Sequence, residues 1–212
     1  MRHDTISEGL LRREVVLGLF LTCTSGGAIL AHVFLNLPMV FTATFVVFPT
    51  SLVVIFAVLF RRRLYGRFHQ FASILLIGGR AGLLATLAYD TIRPLLKLGI
   101  GFRYEPFRAI AIFGQLITGL PIDDPFAHLM GWIYHFWNGI SFGAMFAFIR
   151  PRGGTILGFI WGIGLQCLMM FAYPRLLQIR LNDPGFLTSS LIGHALWGIV
   201  LGKTVQQWRT NA

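Results

Sequence analysis

Six stretches of mostly apolar residues, each about twenty residues long, run through this chain over 14–35, 39–60, 71–92, 126–149, 154–177 and 186–203. Twenty residues of helix cover about 30 Å, the thickness of a bilayer's hydrocarbon layer. Within hydrocarbon every backbone N–H and C=O must be paired inside the protein, and a segment of this length does that as a helix. The expected fold is therefore all-α: a polytopic transmembrane helix bundle of six spans, one integral membrane domain over 1–212. Composition agrees, with 55% hydrophobic and only 12% charged residues, where soluble domains carry about 25% charged.

The net charge of +10 does not indicate nucleic acid. The basic residues sit at the ends of apolar stretches, at Arg12–Arg13, Arg61–Arg63 with Arg67, and Arg150 with Arg152. Such clusters orient a membrane protein and meet anionic lipid headgroups, so the expected partner is the bilayer itself. With the N-terminus inside, Arg2, Arg12, Arg13, Arg61, Arg62, Arg63, Arg67, Arg150, Arg152, Lys203 and Arg209 are cytoplasmic. Arg93, Lys97, Arg103, Arg108, Arg175 and Arg180 are then outside. The excess favours both termini in the cytoplasm. The first stretch lacks a small-residue cleavage site and reads as a retained signal-anchor. Cys23 and Cys167 both fall inside apolar stretches and read as small buried hydrophobes, not as a disulfide.

The long connection after the third stretch holds PFRAIAIFGQLITG, 106–119. Pro106 suits a first helical position and Gly119 an end. Its length is too short to span, which predicts a short interfacial helix on the outer side, or a loop helix tucked against the bundle. Gly154, Gly158 and Gly162 form a row at helical spacing, and Gly78–Gly82, Gly139–Gly143 and Gly198–Gly202 form GxxxG pairs. These rows predict close backbone contacts and carry no functional message alone.

The fourth and sixth stretches begin alike, with DDP at 123–125 and NDP at 182–184. Asp124 and Asp183 are candidate N-caps, with Pro125 and Pro184 in the first turn. His135 lies ten residues after Pro125, and His194 ten after Pro184. Ten residues of helix rise about 15 Å, which places both histidines at similar depth below the outer surface. Ionisable side chains there usually face a bundle interior or cavity. His32, Asp90 and His128 fall nearer the outer face, Asn138 is one turn below His135, and Gln166 is mid-span. Together they allow an outward-opening polar site lined by His32, Asp90, His128, His135 and His194. The plain alternative is that His32, His128 and Asp90 meet water or cap helices, and that His135 and His194 are neutral rings bonded to backbone. Arg80 lies within the third stretch, where it snorkels to the interface, faces Gln166 and backbone carbonyls, or contacts an anion or lipid headgroup.

The segment 126–202 resembles YagU-type bacterial inner-membrane proteins through His135 in a glycine- and aromatic-rich span, Pro174 at the end of the next, and GHALW, 193–197. The resemblance implies a bacterial inner-membrane location and a link to acid tolerance. It implies no catalytic residues.

Four functions compete. Proton handling or pH sensing would use the histidines, whose rings titrate near neutrality. A divalent metal (Zn, Fe) or haem would be held by His135 and His194, with a third ligand from another helix for a metal. Transport of a small anion or lipid would use Arg80 and the polar interior. A non-catalytic subunit, as a homo-oligomer or within a larger membrane complex, would use the histidines only to tie helices together. No phosphate loop, nucleophile elbow, CxxC or HExxH is present, so no catalytic residue is assigned.

Overall fold

A computed structural model describes residues 12–101, 104–177 and 183–210. Arg2, Arg103, Arg180 and Asn182, used above, lie outside the described residues. Among the described residues the chain is all helix, in seven principal elements: α1 (Arg12–Leu35), α2 (Met39–Leu59), α3 (Gly66–Ile100), α4 (Arg108–Thr118), α5 (Pro125–Ile149), α6 (Thr155–Leu177) and α7 (Pro184–Thr210).

Five of these, α1, α2, α3, α6 and α7, are long and apolar enough to cross a membrane. The protein is a multi-pass membrane protein by that composition, and its spanning helices imply contact with lipid. α5 has the length, at 25 residues. It falls outside the apolar set because Trp132, Tyr134, His135, Trp137 and Asn138 all lie in its middle.

The helix ends follow from local chemistry. Asp124 Oδ1 accepts from the backbone N–H of Phe126 and Ala127, at 2.8 and 3.1 Å. Asp183 Oδ1 accepts from Gly185 and Phe186, at 2.9 and 3.2 Å. Both expected N-caps are thus formed, each followed by its proline. Gly119 ends α4 in the left-handed region at φ 72°, a conformation that glycine adopts without a Cβ penalty. α4 begins at Arg108, two residues beyond the expected Pro106, and at 11 residues it is too short to span. A π-helical turn, Ala43–Val47, lies inside α2 just before Pro49. Proline cannot donate to the preceding turn, and a wider turn accommodates it.

One boundary is corrected. The third stretch, expected to end at 92, continues as helix to Ile100 with Pro94 inside it, and Gly101 stops it at φ 78°. Proline removes one hydrogen bond without ending the helix, which continues through it to Ile100 as membrane helices tolerate. The missing N–H belongs to the bond that would reach the Asp90 carbonyl.

The glycine rows are the seams of the bundle. Gly78 and Gly82 on α3 meet Gly139 and Gly143 on α5, so closely that a Cβ on any of them would strike backbone or the Thr86 side chain. Gly158 and Gly162 on α6 meet His194, Gly198 and Gly202 on α7 in the same way, and the carbonyl of Gly154, just before α6, lies against Gly202. Gly114 and Gly131 seat α4 against α5. In lipid such contact is driven by packing and not by the hydrophobic effect, so small residues set which faces meet. α3 lies at the centre, between α5 and α7, while α5 and α6 scarcely touch one another.

Candidate functional site

The gap left between α5 and α6 is a cavity of about 1150 Å³. α3 lines it on one side through Thr86, Tyr89 and Arg93, and α1 through Cys23, Gly26 and Leu30. It extends along α5 from His135 to Arg150, a length of about 22 Å at helical rise. Most of the lining is apolar, with the polar groups gathered toward the end nearer α4.

At that end His135 Nε2 lies 3.0 Å from both Oδ1 and Oδ2 of Asp90. A ring nitrogen between two carboxylate oxygens carries the proton, since a lone pair there would face like charge. Nε2–H therefore donates to Asp90, and no described residue hydrogen-bonds Nδ1. The two side chains are only 17% and 12% exposed. The Trp132 ring meets the imidazole edge-on at 5.8 Å, and Phe136 closes another side at 5.6 Å.

Tyr89 joins this pair to the second histidine. Its ring centroid is 6.3 Å from that of His135 and 4.9 Å from that of His194. Gly193 makes room, since a Cβ there would press on the Tyr89 ring. His194 Nδ1 lies 2.9 Å from Ser190 O, so it donates one turn back along its own helix. Its Nε2 faces the Met169 sulfur at 3.1 Å, a weak acceptor with no proton to give. Ser190 in turn donates to Gln166 Oε1 at 2.7 Å, tying α7 to α6. Trp197 donates to Thr86 Oγ1 at 3.1 Å, tying α7 to α3.

His135, His194 and Asn138 line the cavity, and Asn138 Oδ1 is buried with no hydrogen-bond partner among the described residues. Asp90 stands behind His135, and Gln166 is buried at the α6–α7 contact. The wider funnel is not formed. His32 Nδ1 lies 3.0 Å from Leu37 O beside the turn after α1, and His128 is exposed on the first turn of α5. Neither lines the cavity. Both sit near helix ends, where backbone and water take up their polarity. Arg80 is exposed on α3 and away from the cavity, as a snorkelling side chain would be.

No group of three His, Cys, Asp or Glu side chains is placed to hold a metal among the described residues. Both ring nitrogens of His194 already face other atoms, and His135 Nε2 is committed to Asp90. A metal or haem could meet the free Nδ1 of His135 with Nε2–H still on Asp90, but on His194 it would have to displace the Ser190 or Met169 contact.

The residue that sequence reasoning missed is Arg93. It belongs to α3 and is 6% exposed. Its guanidinium stacks over Tyr89 at 4.8 Å and Phe107 at 5.9 Å, and its Nε has no hydrogen-bond partner. Tyr104 donates to its carbonyl at 3.3 Å and also hydrogen-bonds Ser189. Placing Arg93 in an outer loop followed from ending the third apolar stretch at 92. The apolar pattern of 95–100 is the signal that could have found it.

No family model matches the chain, no curated protein matches it, and no solved structure matches it.

Proposed function

We propose that this is a six-span bacterial inner-membrane protein whose Asp90–His135 pair makes the state of its central cavity respond to protons. The observation that carries the reading is one histidine nitrogen held against both oxygens of a carboxylate, on the wall of a cavity of about 1150 Å³. With Nε2–H turned to Asp90, Nδ1 is the atom that accepts a further proton. Uptake there turns a neutral ring beside an anion into an ion pair with no net charge. In a medium of low dielectric that change alters the field across the cavity far more than it would in water. Imidazole is the side chain suited to such a change near neutral pH.

Crossing by α5 as the sixth span is supported by its length and by its neighbours. Its polar middle is covered by α1, α3 and α4, so it need not be apolar all round. The excess of Lys and Arg supports cytoplasmic termini, with the pair nearer the outer face. The likeness of 126–202 to YagU-type proteins supports the inner membrane and a response to acid.

Trp132 supplies the test, because a charged imidazolium quenches an indole beside it. Tryptophan emission of the purified protein, titrated between about pH 8 and pH 5, should fall in the wild type. The change should vanish in Trp132→Phe and in His135→Gln. Emission that ignores pH in the wild type, or an unaltered titration in folded His135→Gln, overturns the reading.

A further inference from the structure

We propose that the cavity holds an amphiphile with an anionic oxygen headgroup, carboxylate or phosphate, and that Arg93 is the residue that binds it. This deepens the reading above by naming a ligand class, but it does not depend on the proton response.

A buried guanidinium is costly unless an anion and hydrogen-bond acceptors surround it. Arg93 is buried, lines the cavity and leaves Nε without a partner. The carboxylates around this end of the cavity are committed elsewhere. Asp90 receives His135, Asp183 caps α7 and Glu105 pairs with Lys97 at 2.5 Å. None of the described carboxylates lies within ion-pair distance of Arg93. Tyr89 and Phe107 offer it only ring faces, which attract a cation but satisfy no N–H in line. A planar fork of donors with its positive charge unmatched suits a carboxylate or phosphate.

The rest of the cavity suits an alkyl chain. From Arg93 it runs past Phe142, Met145, Phe146 and Leu165, with no charged side chain until Arg150 at the far end. It also has a side that faces lipid. Gly27 on α1 and Leu157, Ile160 and Leu168 on α6 line the cavity, and all four are exposed. α1 and α6 touch only sparsely, so a chain can enter between them from the bilayer without passing through water.

Trp161 lines the cavity and reports on it. Bromine quenches indole on contact. Protein in nanodiscs of zwitterionic lipid would be titrated with dibromostearate and with its methyl ester. A parallel titration would use brominated phosphatidylglycerol and brominated phosphatidylcholine. The part of the quenching lost in Trp161→Phe is the cavity signal. Half-saturation at a concentration at least about tenfold lower for an anionic lipid than for its neutral counterpart is expected in the wild type. Arg93→Gln should erase that preference and Arg93→Lys should keep part of it. A preference confined to dibromostearate assigns a fatty-acid carboxylate; one confined to phosphatidylglycerol assigns a phospholipid phosphate; both assign the shared oxyanion. Equal quenching by charged and neutral forms, or a preference that survives in Arg93→Gln, overturns the headgroup assignment alone. No cavity signal from any brominated lipid overturns the amphiphile entirely. Neither outcome touches the Trp132 titration, so the two proposals fail separately.

Discussion

Asp90 presents both carboxylate oxygens to one nitrogen of His135, at 3.0 Å each, across the seam between α3 and α5. Neither residue could be held there by its own helix. The contact of Gly82 with Gly139 brings the two backbones close, and the side chains meet two turns along α3 at Asp90 and one turn along α5 at His135. The pair is therefore a product of helix packing, and it should answer to packing as well as to charge.

Removing one partner of a buried pair leaves the other desolvated and uncompensated. Asp90→Ala and His135→Ala should each destabilise the protein by about 3 kcal/mol, while the double variant should cost clearly less than their sum. Thermal unfolding of the four proteins in one detergent gives the coupling. Additive losses would mean that the contact contributes nothing as a pair.

The glycine seams predict a sharp contrast within one helix. Gly158→Leu places a side chain where the Gly198 carbonyl and Gly202 backbone lie. It should force α6 from α7 and cost more than about 3 kcal/mol, as overpacking at a contact with no slack does. Gly164 also lies on α6 and lines the cavity, but a Cβ there meets nothing within 4 Å. Gly164→Ala should be neutral or mildly stabilising, since alanine favours helix by up to about 1 kcal/mol. Gel filtration and thermal unfolding read both.

The matched caps make a smaller prediction. Asp124→Ala and Asp183→Ala each remove an acceptor for two backbone N–H groups. Each should cost about 1 kcal/mol, and Asn at either position should recover most of it. The same unfolding measurement applies, and an unchanged midpoint would show that water caps these ends equally well.

Arg80 and Arg93, both on α3, should behave oppositely. Arg80 is exposed, so Arg80→Gln should change stability by no more than about 0.5 kcal/mol. Arg93→Leu should remove the cation–π stack on Tyr89 and leave Tyr104 hydrogen-bonded to the backbone as before. With no anion bound, a buried cation replaced by an apolar residue should raise stability by about 1 kcal/mol or more. Unfolding after exhaustive delipidation, compared with unfolding in lipid extract, tests this. A loss in the delipidated state would mean that Arg93 is already satisfied within the protein.

Orientation is open to direct labelling. With Cys23 and Cys167 replaced by Ser, a single cysteine at Asp123→Cys should react with an impermeant maleimide on intact cells stripped of outer membrane. One at Arg62→Cys should react only after lysis. The reverse pattern would turn the bundle over and put the Asp90–His135 pair nearer the cytoplasm.

Much of this architecture is written locally. Apolar length marks the helices, Asp–Pro pairs mark two helix starts, and glycines at helical spacing mark the faces that touch. Each of these depends on residues within a few positions of one another, and each can be read without knowing the rest of the chain. His135 and His194 could also be singled out, because an ionisable ring in an apolar stretch is conspicuous wherever it points. Which groups they meet could not be read. Asp90 stood in the same set of polar residues as His32 and His128, with nothing to distinguish it. Helices that are apolar nearly all round carry no periodicity to separate a lipid face from a core face. Only the packing of α3 between α5 and α7 turned Asp90 and Tyr89 toward the two histidines, and left His32 and His128 at the ends. The same packing buried Arg93, because Pro94 costs a helix one hydrogen bond but not its apolar face. Sequence alone determined that the chain is a helical membrane protein with two polar rings within its apolar stretches. Tertiary structure decided that one ring has a carboxylate, that the other is tied to its own helix, and that an unmatched guanidinium shares their cavity. Those outcomes depend on helix rotation, and rotation is settled by contacts between residues far apart in the chain.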